Sequence, residues 1–506
     1  MLAPASAWAE TRAIVIGIDN YRNLPRLRGA VNDAEDIAGA LRRTGVADLT
    51  ELLDAEASRD RILAAWDGAL ARAAAGDRII LSYAGHGAQE PEHVPGSEAD
   101  GKDEVLLLAG FAASGPGTRE RLIDDEIGAW FAAAAAKQVE VVFVADACHS
   151  GTLTRAVATD IDATYRVAPD YTIDDDELTL DTGNAAGDSE NAAANVTYLG
   201  AAQDNEKVPE VVLPDAAGQR VARGALSYLF ARALDGQADA DSDGAVSRTE
   251  LFDFVRENAR LLSDSRQTPN LLSEAPERGV VLAKVGDDHS IPLEAASGPV
   301  MVALAGRAMP QAESTLRDID GVVASTGEST ADVIWDAENG RLFSGSGDLL
   351  ADAVTTEALP HYLAKVRAVR QLGALARLHT MKARLRPDDQ AHRQGDAVAL
   401  ELADPPYPYL TLFDLANDGT LFQLFPRAGE DPNWSEREDS IEFTASPPFG
   451  ADHLVAIATP QPMPDMVGKL ALLDGKYAAD RVVELVARAL QGKDYAMVLQ
   501  ASFTAP

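Results

Sequence analysis

Val141-Val142-Phe143-Val144-Ala145-Asp146-Ala147-Cys148-His149-Ser150-Gly151 is an apolar run that carries the chain's only cysteine at its end. A run of β-branched and aromatic residues reads as a buried strand, and it delivers Cys148 to the turn at that strand's carboxyl end. A second string has the same design: Arg78-Ile79-Ile80-Leu81-Ser82-Tyr83-Ala84-Gly85-His86-Gly87 is an apolar strand that ends in a glycine-flanked histidine. In an open parallel sheet, ligands bind in the crevice at the carboxyl ends of the strands. If the two strands are neighbours, His86 and Cys148 face each other across that crevice.

The pair has a chemical logic. A thiol with an ordinary pKa of ~8.5 is only partly ionised at neutral pH, and the thiolate is the nucleophile. An imidazole within reach takes the thiol proton and later returns one to a leaving amine. A lone cysteine is usually an inert small hydrophobe, and a lone strand-end histidine is usually a satisfied polar residue. The two together, both at strand ends and both beside glycine, read as a cysteine peptidase, with His86 and Cys148 as the candidate catalytic residues.

Working outward, Arg12–Ile18 reads as a first strand and 32–43 as a helix. A helix near 59–75 leads to the histidine strand, a short strand is expected at 104–108, and a helix at 124–137 precedes the cysteine strand. Two further strands are expected at 196–202 and 279–285, with helices at 224–235 and 250–261 between them. This alternation predicts an α/β fold, a mainly parallel sheet with helices on both faces. Residues 152–195 differ in character: they contain Asp174-Asp175-Asp176-Glu177, are rich in Ala, Asn, Gly and Thr, and show little periodicity. A loop of that length inside a domain is usually functional or disordered.

The chain has 506 residues, enough for about three domains. Its net charge of −36 makes nucleic acid an unsuitable partner, because phosphate binding needs a basic footprint. Basic peptides and divalent cations suit it better. One cysteine excludes a disulfide within the chain. Ala7-Trp8-Ala9 resembles a small-x-small export cleavage site, but the basic and apolar segments expected ahead of it are missing, so a periplasmic or secreted location and a plain arm in a cytoplasmic protein both stay open. No apolar run of ~18 residues is present to span a membrane.

Tyr83-Ala84-Gly85-His86-Gly87 and Asp146-Ala147-Cys148-His149-Ser150-Gly151 resemble the histidine and cysteine motifs of caspase-like peptidases. They are closer to metacaspases and their bacterial relatives, the orthocaspases, than to animal caspases, which carry glutamine-alanine-cysteine. The resemblance covers residues 10–285, with a large half at 11–151 and a small half at 196–285. It implies an oxyanion hole built by the N–H groups of Gly87 and Cys148. It also implies an acidic pocket for arginine or lysine at Asp146 and at Asp33, the latter in Gly29-Ala30-Val31-Asn32-Asp33. Ala30 and Ala84 depart from the family, which has cysteine and serine there. Asp33 as a helix N-cap and Asp146 as a turn residue is the plainer alternative. By the same resemblance, the 152–195 segment is a place of self-cleavage, with Arg155 and Arg166 as candidate points. An activating calcium site would fall on Asp100 or Asp103 with Asp124 and Asp125, although Thr154 and Arg155 stand where the family has a further aspartate. First-turn charge in a helix explains Asp124 and Asp125 equally well.

Asp239-Ala240-Asp241-Ser242-Asp243-Gly244-Ala245-Val246-Ser247-Arg248-Thr249-Glu250 fills the EF-hand calcium-loop pattern. Asp239, Asp241, Asp243 and Glu250 would supply carboxylates and Ala245 a carbonyl; an acidic turn without metal is the alternative. The rest of the chain carries none of this chemistry. Residues 286–395 read as a linker and a small α+β region with a helix at 356–377, and hairpins are expected around 335–340 and 409–426. A helix is expected at 479–491. Residues 396–506 resemble a β-rich accessory domain of unknown function found behind bacterial caspase-like domains, which implies a module that binds another protein or an envelope component. The expectation is therefore a cysteine endopeptidase that cleaves after Arg or Lys, with calcium as its cofactor. A clostripain- or gingipain-type peptidase and a catalytically silent calcium-responsive scaffold are the alternatives.

Overall fold

The computed structural model describes residues 9–93, 101–148, 164–174, 176–178, 195–202, 208–215, 219–240, 243–263, 267–273, 280–282, 298–305, 310–325, 327, 330–345, 349–387, 392–403, 405–427, 429–434 and 440–505. The chain divides into two compact units: Met1–Ala216, Val221–Ala259 and Gln267–Ile291 form the first, and Ala217–Arg220, Arg260–Arg266 and Pro292–Pro506 the second.

The first unit starts with β1 (Thr11–Gly17), α1 (Ala30–Arg43), β2 (Asp48–Leu53), α2 (Arg59–Arg72) and β3 (Arg78–Ala84). A small antiparallel sheet follows, of β4 (Gly87–Pro91), β5 (Lys102–Leu107) and β6 (Arg121–Ile123). Then come α3 (Asp124–Ala136), β7 (Glu140–Asp146), β8 (Val196–Gly200), β9 (Glu210–Pro214), β10 (Arg220–Gly224) and α4 (Ala225–Leu234). β11 (Val246–Ser247), α5 (Arg248–Leu262), β12 (Asn270–Leu272) and β13 (Val280–Leu282) complete it.

The main sheet has six strands in the order β12-β8-β7-β3-β1-β2, parallel throughout except for β12. Its strands are apolar on both faces because helices cover both, as crossover connections require. On one face Trp66 of α2 stacks on Trp130 of α3 at 5.5 Å between ring centroids, in one core with Ile14, Ile16, Leu81 and Phe143. On the other, α1 lies so close to β1 that a Cβ on Gly17 would sit 2.7 Å from the Ala34 Cβ, so only glycine suits that strand end. The order reverses between β1 and β3, which opens the crevice at their carboxyl ends.

The second unit is dominated by strands. One five-stranded sheet joins 322–324, 300–304, 333–336, 341–344 and 349–351, and a six-stranded one contains the long strands Gly450–Thr459 and Ala496–Ala505 as antiparallel neighbours. The hairpins expected near 335–340 and 409–426 are both present, the second turning at Gly419 with a φ of +84°. Helix Leu359–Leu378 packs Ala368, Leu372 and Ala376 onto the six-stranded sheet. Among the described residues no helix is long and apolar enough to cross a membrane.

Candidate active site

β3 and β7 are parallel neighbours, with Ala84 level with Asp146. His86 and Cys148 each stand two residues beyond that pair, so the register puts both at the same height above the sheet. Both are buried, at 1% and 2% exposure.

The histidine is held from three sides. Its backbone N–H donates to the Tyr21 hydroxyl at 2.7 Å, and its carbonyl accepts from the Tyr83 hydroxyl at 2.8 Å. Its Nε2 lies 2.8 Å from the Pro25 carbonyl oxygen, in the loop after β1. A carbonyl only accepts, so Nε2 carries the proton and Nδ1 the lone pair. Nδ1 is buried and takes part in no hydrogen bond among the described residues. Burial lowers the His86 pKa to about 4, the Pro25 carbonyl opposes this, and the nearby Arg166 charge adds to it. The ring is therefore neutral at pH 7, as a base must be. Sequence reasoning supplied no group to orient this histidine, because a backbone carbonyl has no residue signature.

The segment 164–168 runs through the crevice, bending at Arg166 between isolated bridges at Tyr165 and Val167. Arg166 N–H donates to the Val208 carbonyl at 3.0 Å, and Glu210 N–H donates to the Thr164 carbonyl at 3.1 Å, on either side of an antiparallel Tyr165–Pro209 bridge. On its other side, Ala168 N–H donates to the Gly87 carbonyl at 3.0 Å. The Arg166 carbonyl oxygen accepts from two donors at once, Gly87 N–H and Cys148 N–H, both at 3.0 Å. These are the two N–H groups that the motif resemblance assigns to an oxyanion hole. Gly87 has to be glycine, since a Cβ there would lie 2.5 Å from the Cys148 carbonyl oxygen.

The Arg166 side chain is fully buried between carboxylates. Nη2 pairs with Asp33 Oδ2, and Nη1 lies 3.1 Å from Asp146 Oδ1 and 3.2 Å from the Asp146 carbonyl. Glu210 Oε1 stands 3.6 Å from Nη2. Asp33 lies within the first turn of α1, whose N-cap is Gly29, so it does not cap that helix. Its oxygens instead accept the Gly224 N–H at 2.9 and 3.1 Å, while Asp146 Oδ2 accepts the Ser227 N–H at 2.8 Å at the start of α4. Gly224 forms the pocket floor: a Cβ there would overlap both Asp146 Oδ2 and Arg166 Nη1. Burial pushes the Asp33 carboxyl well above its ordinary value; the Arg166 guanidinium opposes the rise and Asp146 adds to it. Burial works against the Arg166 charge too, yet Asp146, Asp33 and Glu210 hold its pKa above the ordinary value. A guanidinium thus neutralises a pocket that would otherwise hold several buried acids. Glu210 and Gly224, absent from the sequence reading, belong to this pocket.

The candidate metal residues are more dispersed. Asp103 Oδ2 accepts from the His93 backbone N–H at 2.9 Å and lies 2.7 Å from His93 Nδ1. Asp124 accepts the Asp125 N–H at 2.8 Å; burial and then Glu104 raise its pKa to about 8. Asp103 Oδ1 and Asp125 Oδ2 are buried without hydrogen bonds among the described residues. In the other loop, Asp239 accepts the N–H groups of Asp243 and Gly244 at 3.1 and 2.9 Å, Gly244 has a φ of +84°, and Glu250 accepts the Ala240 and Ser247 N–H groups at 3.1 and 2.8 Å. Among the described residues no three acidic, histidine or cysteine side chains converge as metal ligands. Asp100, Asp241 and Arg155 lie outside the described residues.

Residues 11–156 match the family model described as metacaspase, peptidase C14 domain. Metacaspase-1 of Pyricularia oryzae is 31% identical over 150 residues, which is 28% of this chain and 36% of that protein. Metacaspase-1 of Saccharomyces cerevisiae is 30% identical over 151 residues, 28% of this chain and 34% of that protein. The chain spans about a third of the length of these curated relatives. Among solved structures, a Geobacter sulfurreducens protein aligns with a TM-score of 0.36 at 24% identity, covering 52% of this chain and 92% of that one. Caspase-1 from Spodoptera frugiperda aligns with a TM-score of 0.31 at 12% identity, covering 52% and 86%. Residues 11–156 are thus similar to the metacaspase peptidase C14 domain.

Proposed function

We propose that this chain is a cysteine endopeptidase that cleaves on the carboxyl side of arginine, more slowly after lysine, and that its first substrate is its own Arg166–Val167 bond. The observation that carries the reading is Arg166 itself: side chain among Asp33, Asp146 and Glu210, carbonyl oxygen on the Gly87 and Cys148 N–H groups. That is the pose a scissile arginine needs, with its carbonyl already on the donors that stabilise the developing oxyanion. His86 Nδ1 takes the Cys148 proton, and the thiolate attacks the Arg166 carbonyl carbon. The tetrahedral oxyanion rests on the two N–H groups, and the protonated Nδ1 gives its proton to the Val167 amine as the C–N bond breaks. Water, deprotonated by His86, then hydrolyses the thioester and frees Cys148. Cleavage lets the new Arg166 carboxylate leave and opens the pocket to other chains.

Arginine suits the pocket better than lysine because its two terminal nitrogens meet two separate carboxylates, while an ammonium meets one geometry at a time. An aspartyl side chain would add a buried negative charge to the pocket. The test is turnover of fluorogenic arginyl, lysyl and aspartyl peptides, each with calcium or chelator, together with sequencing of the fragments the chain makes of itself. Arginyl turnover and a new amino terminus at Val167 are expected; preferred aspartyl turnover or an intact chain would sink the reading. Calcium responsiveness is part of the proposal, supported by the unpartnered oxygens of Asp103 and Asp125 and by the turn at Gly244, whose N–H meets Asp239. Since these described carboxylates do not converge as they stand, calcium would have to draw Asp103 and Asp125, or Asp239, Asp243 and Glu250, together. Identical rates with calcium and chelator would remove that part alone.

The state of His86 sets a pH signature. In the intact chain burial and Arg166 hold its pKa near 4, so the ring stays a free base down to about that pH. Once the segment leaves, the ring regains water and loses the Arg166 charge, and its pKa rises toward the ordinary 6.5. Below its pKa the ring is protonated and cannot accept the thiol proton. Self-processing of the intact chain should therefore persist to more acid pH than peptide turnover by the processed enzyme. Coincident acid limbs in the two pH profiles would contradict this.

A further inference from the structure

The occupied crevice also reads a second residue of the segment. Thr164 and Arg166 flank the Tyr165–Pro209 bridge, and the side-chain partners of both are neighbours of Glu210. Arg166 enters the acidic pocket, and Thr164 meets a cation of opposite preference: Arg28 Nη2 donates to Thr164 Oγ1 at 2.7 Å. Arg28 is held in place from behind. Its backbone N–H and that of Gly29 donate to the Glu210 carboxylate, the latter at 2.7 Å, and Arg28 Nε stands 3.9 Å from Glu210 Oε2. Glu210 therefore lies between two neighbouring guanidinium groups and spaces the pocket of the cleaved residue from that of the residue two before it. The main chain of the segment is clamped at the same place by the Glu210 N–H on the Thr164 carbonyl, so the side chain there has little freedom to turn away.

Resting on the arginine-cleaving reading, we propose that Arg28 is a specificity-determining residue for the position two before the cleaved arginine, selecting a hydroxyl or carboxylate side chain there. The substrate class is thus a peptide with Thr, Ser, Glu or Asp, any residue, then Arg. A hydroxyl accepts one hydrogen bond from Arg28. A carboxylate accepts the same bond with charge assistance. An aliphatic residue leaves the guanidinium to water, and a lysine meets it with like charge. The selection is local: the chain's overall acidity would favour basic peptides throughout, so a preference for an acidic residue at this one position is diagnostic of Arg28.

The test uses the full chain and four arginyl peptides of the form X-Tyr-Arg-fluorophore, with X as Thr, Glu, Ala or Lys. In kcat/KM, Glu and Thr should exceed Ala by about fivefold, with Lys the poorest. Arg28→Ala should bring Thr, Glu and Ala together, and Arg28→Glu should reverse the order in favour of Lys, a gain that a merely misfolded variant cannot show. Equal rates for the four peptides, or the same ranking in Arg28→Ala, would overturn the assignment while leaving arginine cleavage standing. Absence of turnover of all four would overturn both readings together.

Discussion

Cys148→Ala should lower turnover of arginyl peptides by about four orders of magnitude or more, since no other thiol exists to form the acyl-enzyme. The same variant should be recovered with its Arg166–Val167 bond intact, and mass measurement of the purified chain checks this directly. The physical content is that His86, the two N–H donors and the pocket all survive the substitution, and without the nucleophile they only bind. Cys148 is buried at the end of β7 in a site built by backbone hydrogen bonds, so loss of one sulfur should leave the fold in place. A Cys148→Ala chain that still cut itself after Arg166, in a preparation free of other proteases, would end the cysteine-peptidase reading. His86 alone then could not explain the cleavage.

Asp33→Asn and Asp146→Asn should each lower kcat/KM for arginyl peptides by about two to three orders of magnitude, the usual cost of leaving one member of a buried ion pair uncompensated. The two carboxylates meet different nitrogens of Arg166, so neither can cover for the other. Asparagine keeps the size and can still accept from Gly224 or Ser227, which separates loss of charge from loss of α4 positioning. The effect should fall mainly on arginyl and lysyl peptides. Thermal unfolding of the intact variants should also come at lower temperature, because Arg166 stays buried with less opposing charge. A change of less than about threefold in kcat/KM for both variants would show that the pocket does not bind the cleaved residue.

The positions of the two motif residues were legible because each lies at the same offset beyond a strand of the same character. Strand identity follows from local apolar runs and β/α alternation implies parallel strands, whereas the pairing that brings residues two beyond each strand end level is supplied by the fold. Helix ends were harder to read. The helix expected from about 32 begins at Ala30, because Asp19 Oδ1 accepts the Ala30 N–H at 2.8 Å from eleven residues upstream, and that partner is invisible in the local pattern. The chemistry of the pocket had a legible half as well. Asp33 and Asp146 could be named from motif positions, whereas Glu210 belongs to no motif and reaches the Gly29 N–H across a sequence separation of 181.

By itself, then, the sequence determined the two strands that carry the motifs, the motif residues just beyond their carboxyl ends and the acidic character of the chain. These depend on periodicity, composition and short motifs, which are local. Tertiary structure alone decided three things. It made the Pro25 carbonyl the partner of His86 Nε2, chose Arg166 as the occupant of the acidic pocket, and set Arg28 beside Thr164. Each joins groups far apart in the chain, Asp33 and Arg166 by 133 residues, and each is a hydrogen bond or ion pair that forms only once folding brings those groups together.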